Sequence, residues 1–305
     1  MNLWRNSISH YFLLTGLYFL LVFALPANKV AMATYHLSAL QYHILLFVVV
    51  LPILGIWFAA FYGFEKLKSY AQAIQKTAEG EDYKQLATGC GWLAYALPIP
   101  ALVSIILNTI ANSHPRFHPT AVIISNYINL IMPLIAFSLL SNSARSLTQH
   151  ANVRLSMAKA KSIIVAFATL GVVYCYFIFR NFDLISISTS DNAYFLPVWL
   201  AVISIVIPYL YSWFVGLLAA YEIVLFAQAS KGIIYRHSLQ RLGYGIAAVI
   251  VSSITLQYLS SIIPKTGSLS LNYIVAWIYV IQIISAIGYT LIAIGAARLK
   301  RIEEV

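Results

Sequence analysis

Eight long apolar runs, nearly free of charged side chains, limit what this chain can fold into. They lie near residues 10–26, 43–63, 91–112, 121–142, 162–180, 196–225, 242–263 and 273–296. A helix of such length crosses the hydrocarbon core of a membrane and satisfies its own backbone hydrogen bonds there. The chain is 61% hydrophobic and only 9% charged, which excludes an ordinary soluble domain. The sequence therefore predicts an all-α integral membrane protein with eight transmembrane helices.

The basic residues are divided unequally between the two sides of this bundle. Of the 19 Lys and Arg residues, 15 lie on the side of both termini, and the other four are Lys29, Arg116, Arg180 and Lys265. Short loops rich in Lys and Arg stay in the cytoplasm. The charge pattern thus predicts cytoplasmic N- and C-termini, and we expect the plasma (inner) membrane. As an alternative, the first run followed by Ala31–Ala33 resembles a cleavable secretory signal.

Two similar segments lie 156 residues apart. PILGIWF begins at Pro52 and PYLYSWF at Pro208, and residues 52–73 match residues 208–229 at seven of 22 positions without a gap. Further landmarks recur in the same order, with Gly89 and Gly91 matched by Gly243 and Gly245. We interpret the pattern as a tandem duplication of a four-helix unit, residues 1–150 and 151–305. Units with an even number of spans insert the same way up, so a pseudo-two-fold axis along the membrane normal is predicted.

The repeated prolines fall inside the second and sixth predicted spans. A proline within a helix leaves the carbonyl four residues earlier without its partner, here Val48 for Pro52 and Ser204 for Pro208. Kinked helices at paired positions indicate a ligand site in transporter folds. The alternative is that both kinks only shape helix packing, because proline is common in membrane helices.

Four further residues are candidates for a ligand site. Trp57 and Trp213 are interpreted as interfacial anchors, with stacking on a ligand as the alternative. Glu222 is the one acidic residue inside a run, and it has either interfacial hydrogen bonding or a proton or ligand role. Gln257 ends a polar cluster that begins at Ser252 and is dense enough to line a pocket for a neutral or zwitterionic molecule.

Two local features concern the cytoplasmic side and the third span. The spacing of apolar residues between Leu67 and Ala78 predicts an amphipathic extension of the second span, lying at the headgroups and ending near Gly80. Pro98 and Pro100 are expected to bend the third span.

No motif for catalysis or cofactor binding is found. The patterns HExxH and GxSxG and the phosphate-binding loops are absent from the sequence. The seven His residues lie in loops or near span ends without the spacing of metal ligands, and neither Cys90 nor Cys175 belongs to a CxxC pair. The sequence thus predicts no enzyme activity, no cofactor and no metal.

The favoured function is a permease-like or small-molecule or lipid-binding membrane protein, with a site between the two repeats. The alternative is a non-catalytic subunit or assembly factor of a larger membrane complex. Expected partners are the lipid bilayer, a small neutral or apolar ligand, and either a membrane protein partner or a second copy of the chain. Binding of nucleic acid is not expected, because the basic residues are scattered between apolar runs.

Overall fold

The protein is described by a computed structural model. It covers residues 7–24, 38–114, 117–151, 206–230, 232–262 and 271–303, and six positions between 165 and 173. Within these residues the chain forms eight α-helices. They are α1 (Ser7–Ala24), α2 (Ala39–Ala73), α3 (Gly80–Tyr95), α4 (Pro98–Ser113), α5 (His118–His150), α6 (Ile207–Ala229), α7 (Ile233–Ile262) and α8 (Leu271–Glu303).

Six segments are long and apolar enough to cross a membrane, which confirms a multi-pass, all-α membrane protein. They are Leu46–Ala73, Gly80–Ala111, Ile124–His150, Ile207–Ala229, Ile233–Leu256 and Val275–Leu299. The first predicted span corresponds to α1, whose apolar part, Ser7–Val22, is shorter. The fifth predicted span, 162–180, lies outside the described residues except for the six positions, and so do residues 196–205 of the sixth.

The third predicted span begins earlier than expected and consists of two helices. Helical structure starts at Gly80 instead of residue 91, and it is interrupted between Tyr95 and Pro98. Pro98 and Pro100 lack the backbone N–H that would continue α3, but proline fits the first turn of a new helix, where that N–H needs no partner. The two prolines therefore end α3 and begin α4, whereas only a bend within one helix was predicted.

The extension of α2 continues the second span within one unbroken helix and packs into the core, so it is not a separate amphipathic helix on the membrane surface. α2 ends at Ala73, and Gly80 begins α3. Because α3 folds back against α2 after a short turn, it covers the apolar face of the extension. Leu67 is completely buried, and Tyr70 packs edge-on against Tyr83 with ring centroids 5.1 Å apart.

Six helices form a closed ring. Each of α2, α3, α5, α6, α7 and α8 contacts the next in that order, and α8 contacts α2. Many large side chains are fully buried inside the ring, among them Phe137, Leu140, Leu242 and Ile246. α1 packs outside against α2 and α4. There the Ser7 hydroxyl donates a hydrogen bond to the Glu65 carboxylate.

Candidate ligand-binding site

A cavity of about 530 Å³ lies inside the ring, and all six ring helices contribute to its walls. The walls are mainly apolar, with Ile53, Ile56, Leu93, Leu256 and Ile281 among the lining residues. None of the described residues that line it is Asp, Glu, Lys, Arg or His. Its polar lining residues are Asn126, Asn129, Ser252, Ser253, Gln282 and Ser285, together with the aromatic residues Trp57, Tyr209 and Tyr289.

The cavity lies away from the end of the bundle at which α2 turns into α3, which we call the α2–α3 end. At about 1.5 Å per residue, Trp57 lies about 24 Å along α2 from Ala73. Fully buried side chains, among them Leu86 and Leu242, lie nearer the α2–α3 end. At that end the hydroxyls of Tyr83 on α3 and Tyr235 on α7 are in hydrogen-bond contact across the ring. The bundle is therefore closed at its α2–α3 end.

Pro52 lies inside α2 beside the cavity, and α8 satisfies the carbonyl that this proline leaves free. The Tyr279 hydroxyl donates a hydrogen bond to the Val48 carbonyl at 2.9 Å. The side-chain amide of Gln282 donates to the Val49 carbonyl at 3.1 Å. The turn of α2 that precedes Pro52 is thus stabilised by two side chains from α8.

Gln282 is a polar residue of the cavity wall whose side-chain oxygen can accept a further hydrogen bond. Only 6% of its surface is exposed, and its Oε1 atom has no hydrogen-bond partner among the described residues. A buried amide oxygen without a partner costs about 1–3 kcal/mol. A ligand with an N–H or O–H donor would satisfy this oxygen.

Both tryptophans are buried within the bundle, so the interpretation as interfacial anchors is wrong. Trp57 is 2% exposed and Trp213 is 1% exposed. Trp57 lines the cavity and packs edge-on against Tyr18 of α1, with ring centroids 5.1 Å apart. Trp213 donates its indole N–H to the Ser253 hydroxyl at 3.3 Å. Trp213 therefore positions a cavity residue without lining the cavity itself.

The structure describes the two other candidates of the second half only in part. Pro208 lies at the start of the described part of α6, and Ser204, whose carbonyl it is predicted to leave free, lies outside the described residues, so the predicted kink remains a prediction. Tyr209, the neighbour of Pro208, lines the cavity. Gln257 belongs to α7, but its side chain lies outside the described residues, whereas Ser252 of the same cluster lines the cavity.

Glu222 is not part of the cavity. It lies 13 residues after Tyr209 on α6, which is about 20 Å along the helix. Its carboxylate is buried, and Oε1 lies 3.8 Å from Nε of Arg145 on α5. Oε2 has no hydrogen-bond partner among the described residues. Glu222 therefore forms an ion pair between two ring helices at the α2–α3 end.

We expect Arg145→Gln to lower the free energy of unfolding by about 1 kcal/mol, because it leaves the buried Glu222 carboxylate without its cation. The effect is modest, since the Arg145 side chain is 56% exposed and solvent screens the pair. The double variant Arg145→Gln/Glu222→Gln is expected to regain most of this loss in thermal unfolding measurements in detergent. Equal instability of the single and double variants would show that the two residues are not coupled.

No family model, curated protein or solved structure matches this chain. Because a fold alone does not determine a function, the function has to be argued from the chemistry of the cavity.

Several cavity residues were not predicted as site residues. They are Asn126, Asn129, Pro133, Tyr209, Gln282, Ser285 and Tyr289. Two sets of three were detectable from their spacing. Asn126, Asn129 and Pro133 follow one another at i, i+3 and i+7 on α5, and Gln282, Ser285 and Tyr289 do so on α8. Residues at this spacing share one helix face, and a polar face in an apolar span indicates a lined cavity.

Proposed function

We propose that the protein is a permease-like membrane protein that binds a small neutral molecule in the cavity inside the ring. The observation that supports this proposal is the cavity. All six ring helices line it, and the buried side-chain oxygen of Gln282 in its wall has no hydrogen-bond partner among the described residues. Apolar walls with a few placed polar groups are typical of small-molecule sites of about 300–1,000 Å³. The uncharged lining favours a neutral, partly apolar ligand with a hydrogen-bond donor, and no catalytic step is proposed.

The order of the ring supports the proposed tandem duplication of residues 1–150 and 151–305. If α2 corresponds to α6, α3 to α7 and α5 to α8, every contact of the ring has a counterpart. The α2–α3 contact then corresponds to α6–α7, α3–α5 to α7–α8, and α5–α6 to α8–α2. A parallel pseudo-two-fold axis through the ring requires this pattern. It would pass near Tyr83 and Tyr235, which touch across the ring from corresponding helices.

The proposed orientation follows from the basic residues. With 15 of 19 on the side of the termini, both termini and the α2–α3 end face the cytoplasm of a plasma (inner) membrane. The cavity then lies towards the outer surface, and the packed core closes it from the cytoplasm. A carrier that alternates between two open states has this arrangement in one of them.

A tryptophan at Ser285 is expected to fill the cavity and prevent ligand binding. Ser285 lines the cavity on α8, so the indole would occupy space that the ligand needs. Ile283→Trp is the matched control, because Ile283 lies on the same helix, is 58% exposed and does not line the cavity. Small molecules retained after mild extraction from the native membrane would be identified by native mass spectrometry of the wild type and both variants.

The proposal predicts a neutral molecule retained by the wild type and by Ile283→Trp, and lost from Ser285→Trp. Thermal unfolding would show whether both variants are folded. Equal retention by all three proteins would place the ligand outside the cavity and contradict the proposal. A stoichiometric protein partner without any small molecule would also contradict it, and would favour a subunit or assembly factor of a larger membrane complex.

A further inference from the structure

A second cavity, of about 350 Å³, lies at the α2–α3 end and has a basic lining. It is formed by α2, the turn that follows it, and the start of α3. Its polar lining residues are Lys68, Gln72, Gln75, Lys84 and Thr88, and its apolar wall includes Phe64. No Asp or Glu is among the described residues that line it. Two lysines and two glutamines therefore line a single pocket.

The two lysines are placed to bind an anion. The Lys68 ammonium lies over the Phe64 ring, 5.9 Å from its centroid, and this contact holds the charge at the wall of the pocket. Lys84 lies 3.1 Å from a carboxylate oxygen of Glu81, but both side chains are more than half exposed. Exposed pairs of this kind are weak, so an incoming anion can replace the carboxylate.

The depth of this cavity points to a lipid. Lys68 lies near the end of the membrane-crossing segment Leu46–Ala73, and Lys84 lies in the first turns of the segment Gly80–Ala111. The pocket is therefore at the level of the phosphate headgroups. In the proposed orientation, on which this inference rests, the α2–α3 end faces the cytoplasmic leaflet, which carries anionic lipids that lysines at this level attract. We propose that this cavity binds the phosphate group of an anionic phospholipid of the cytoplasmic leaflet.

The full-length protein would be purified in mixed micelles of equimolar phosphatidylcholine and phosphatidylglycerol, and the lipids that it retains would be counted by native mass spectrometry. A direct contact between an ammonium group and a phosphate contributes about tenfold in affinity, and partial exposure reduces this to about fivefold per lysine, so Lys68→Gln/Lys84→Gln is expected to reduce retention of phosphatidylglycerol by about 20-fold. Lys68→Arg/Lys84→Arg keeps both charges and is expected to retain the lipid.

Lys66→Gln/Lys76→Gln is the matched control. It removes the same charge, from α2 and from the turn between α2 and α3, and neither residue lines the cavity. Lys66 even has a similar environment, because its ammonium lies 5.3 Å from the centroid of the Tyr62 ring. This control is expected to reduce retention by less than about twofold, because neither ammonium group contacts the bound phosphate and salt screens the remaining attraction. Equal losses in the two glutamine pairs would overturn the proposal, because they would indicate diffuse attraction by the basic surface.

Two further measurements test the role of Glu81 and distinguish a lipid phosphate from a soluble one. Glu81→Gln removes the competing carboxylate and is expected to increase retention about twofold. Excess inorganic phosphate is expected to leave phosphatidylglycerol bound, because the lipid chains hold the headgroup at the pocket. Displacement of the lipid by inorganic phosphate would overturn the lipid assignment in favour of a soluble phosphate compound. The result is independent of the first cavity, since none of the residues changed here lines it.

Discussion

Gly245→Leu is expected to prevent assembly of the folded protein, because α7 and α8 touch at this glycine. A Cβ atom added to Gly245 would lie 2.6 Å from the carbonyl oxygen of Gly288 and 2.9 Å from the backbone nitrogen of Ile292. The contact is reciprocal, since a Cβ on Gly288 would lie 3.0 Å from the carbonyl oxygen of Gly245. Helices in membranes associate largely through such close packing of small residues.

Even Gly245→Ala has to separate the two backbones, so we expect it to lower the free energy of unfolding by about 2–3 kcal/mol. Gly55→Ala is the matched control, because Gly55 lies inside α2 with no atom within 4 Å of its added Cβ. Alanine is the better helix former there and is expected to stabilise the protein by about 0.5–1 kcal/mol. Thermal unfolding and size-exclusion profiles in detergent would measure both. Similar stabilities would contradict the described α7–α8 crossing.

The sequence was sufficient for the membrane helices because their cause is local. A run such as 43–63 has to satisfy its backbone hydrogen bonds within itself, and only a helix does this in lipid. The predicted boundaries are less accurate, since helices continue beyond the hydrocarbon core wherever other helices cover them. The α2 extension shows this, because the spacing of its apolar residues places Leu67 on an apolar face but does not show that other helices bury it.

The cavity was less predictable because lipid and protein interior are both apolar. The sequence contains no signal that separates Trp57, which is buried, from Phe58, which is 45% exposed. The partners that bury Trp57 and orient Gln282 come from distant segments, and the Gln282 bond to Val49 joins residues 233 positions apart. The usable signal was the recurrence of polar residues at helical spacing, Asn126 with Asn129 and Gln282 with Ser285, because such residues mark the helix faces that avoid lipid.

The second large effect is expected at the carbonyl that Pro52 leaves free. Tyr279→Phe removes the 2.9 Å hydrogen bond to the Val48 carbonyl, for which Pro52 supplies no backbone donor. We expect it to lower the free energy of unfolding by about 0.5–1.5 kcal/mol, the net contribution of an ordinary hydrogen bond. The substitution Pro52→Ala restores a backbone N–H that can bond to the same carbonyl. In the Pro52→Ala background, removal of the tyrosine hydroxyl is therefore expected to lower the free energy of unfolding by a smaller amount.

A double-mutant cycle with Pro52→Ala and Tyr279→Phe would measure this dependence, and we expect a coupling energy of about 1 kcal/mol. Gln282→Leu is the control for the cycle. It removes the neighbouring bond to Val49, but that carbonyl keeps its regular helical partner, the N–H of Ile53, with or without Pro52. Additive effects of Pro52→Ala and Tyr279→Phe would show that the tyrosine does not compensate for the proline.

The Pro52→Ala variant also tests whether the proline shapes the ligand site, because Pro52 precedes three cavity residues, Ile53, Ile56 and Trp57. If the proline shapes the site, Pro52→Ala straightens α2 and displaces these side chains, since proline is the usual cause of a helix kink. Retention of the small molecule would then fall more than thermal stability does. Unchanged retention with reduced stability would assign Pro52 to helix packing alone, although Tyr279 would still be required to satisfy Val48.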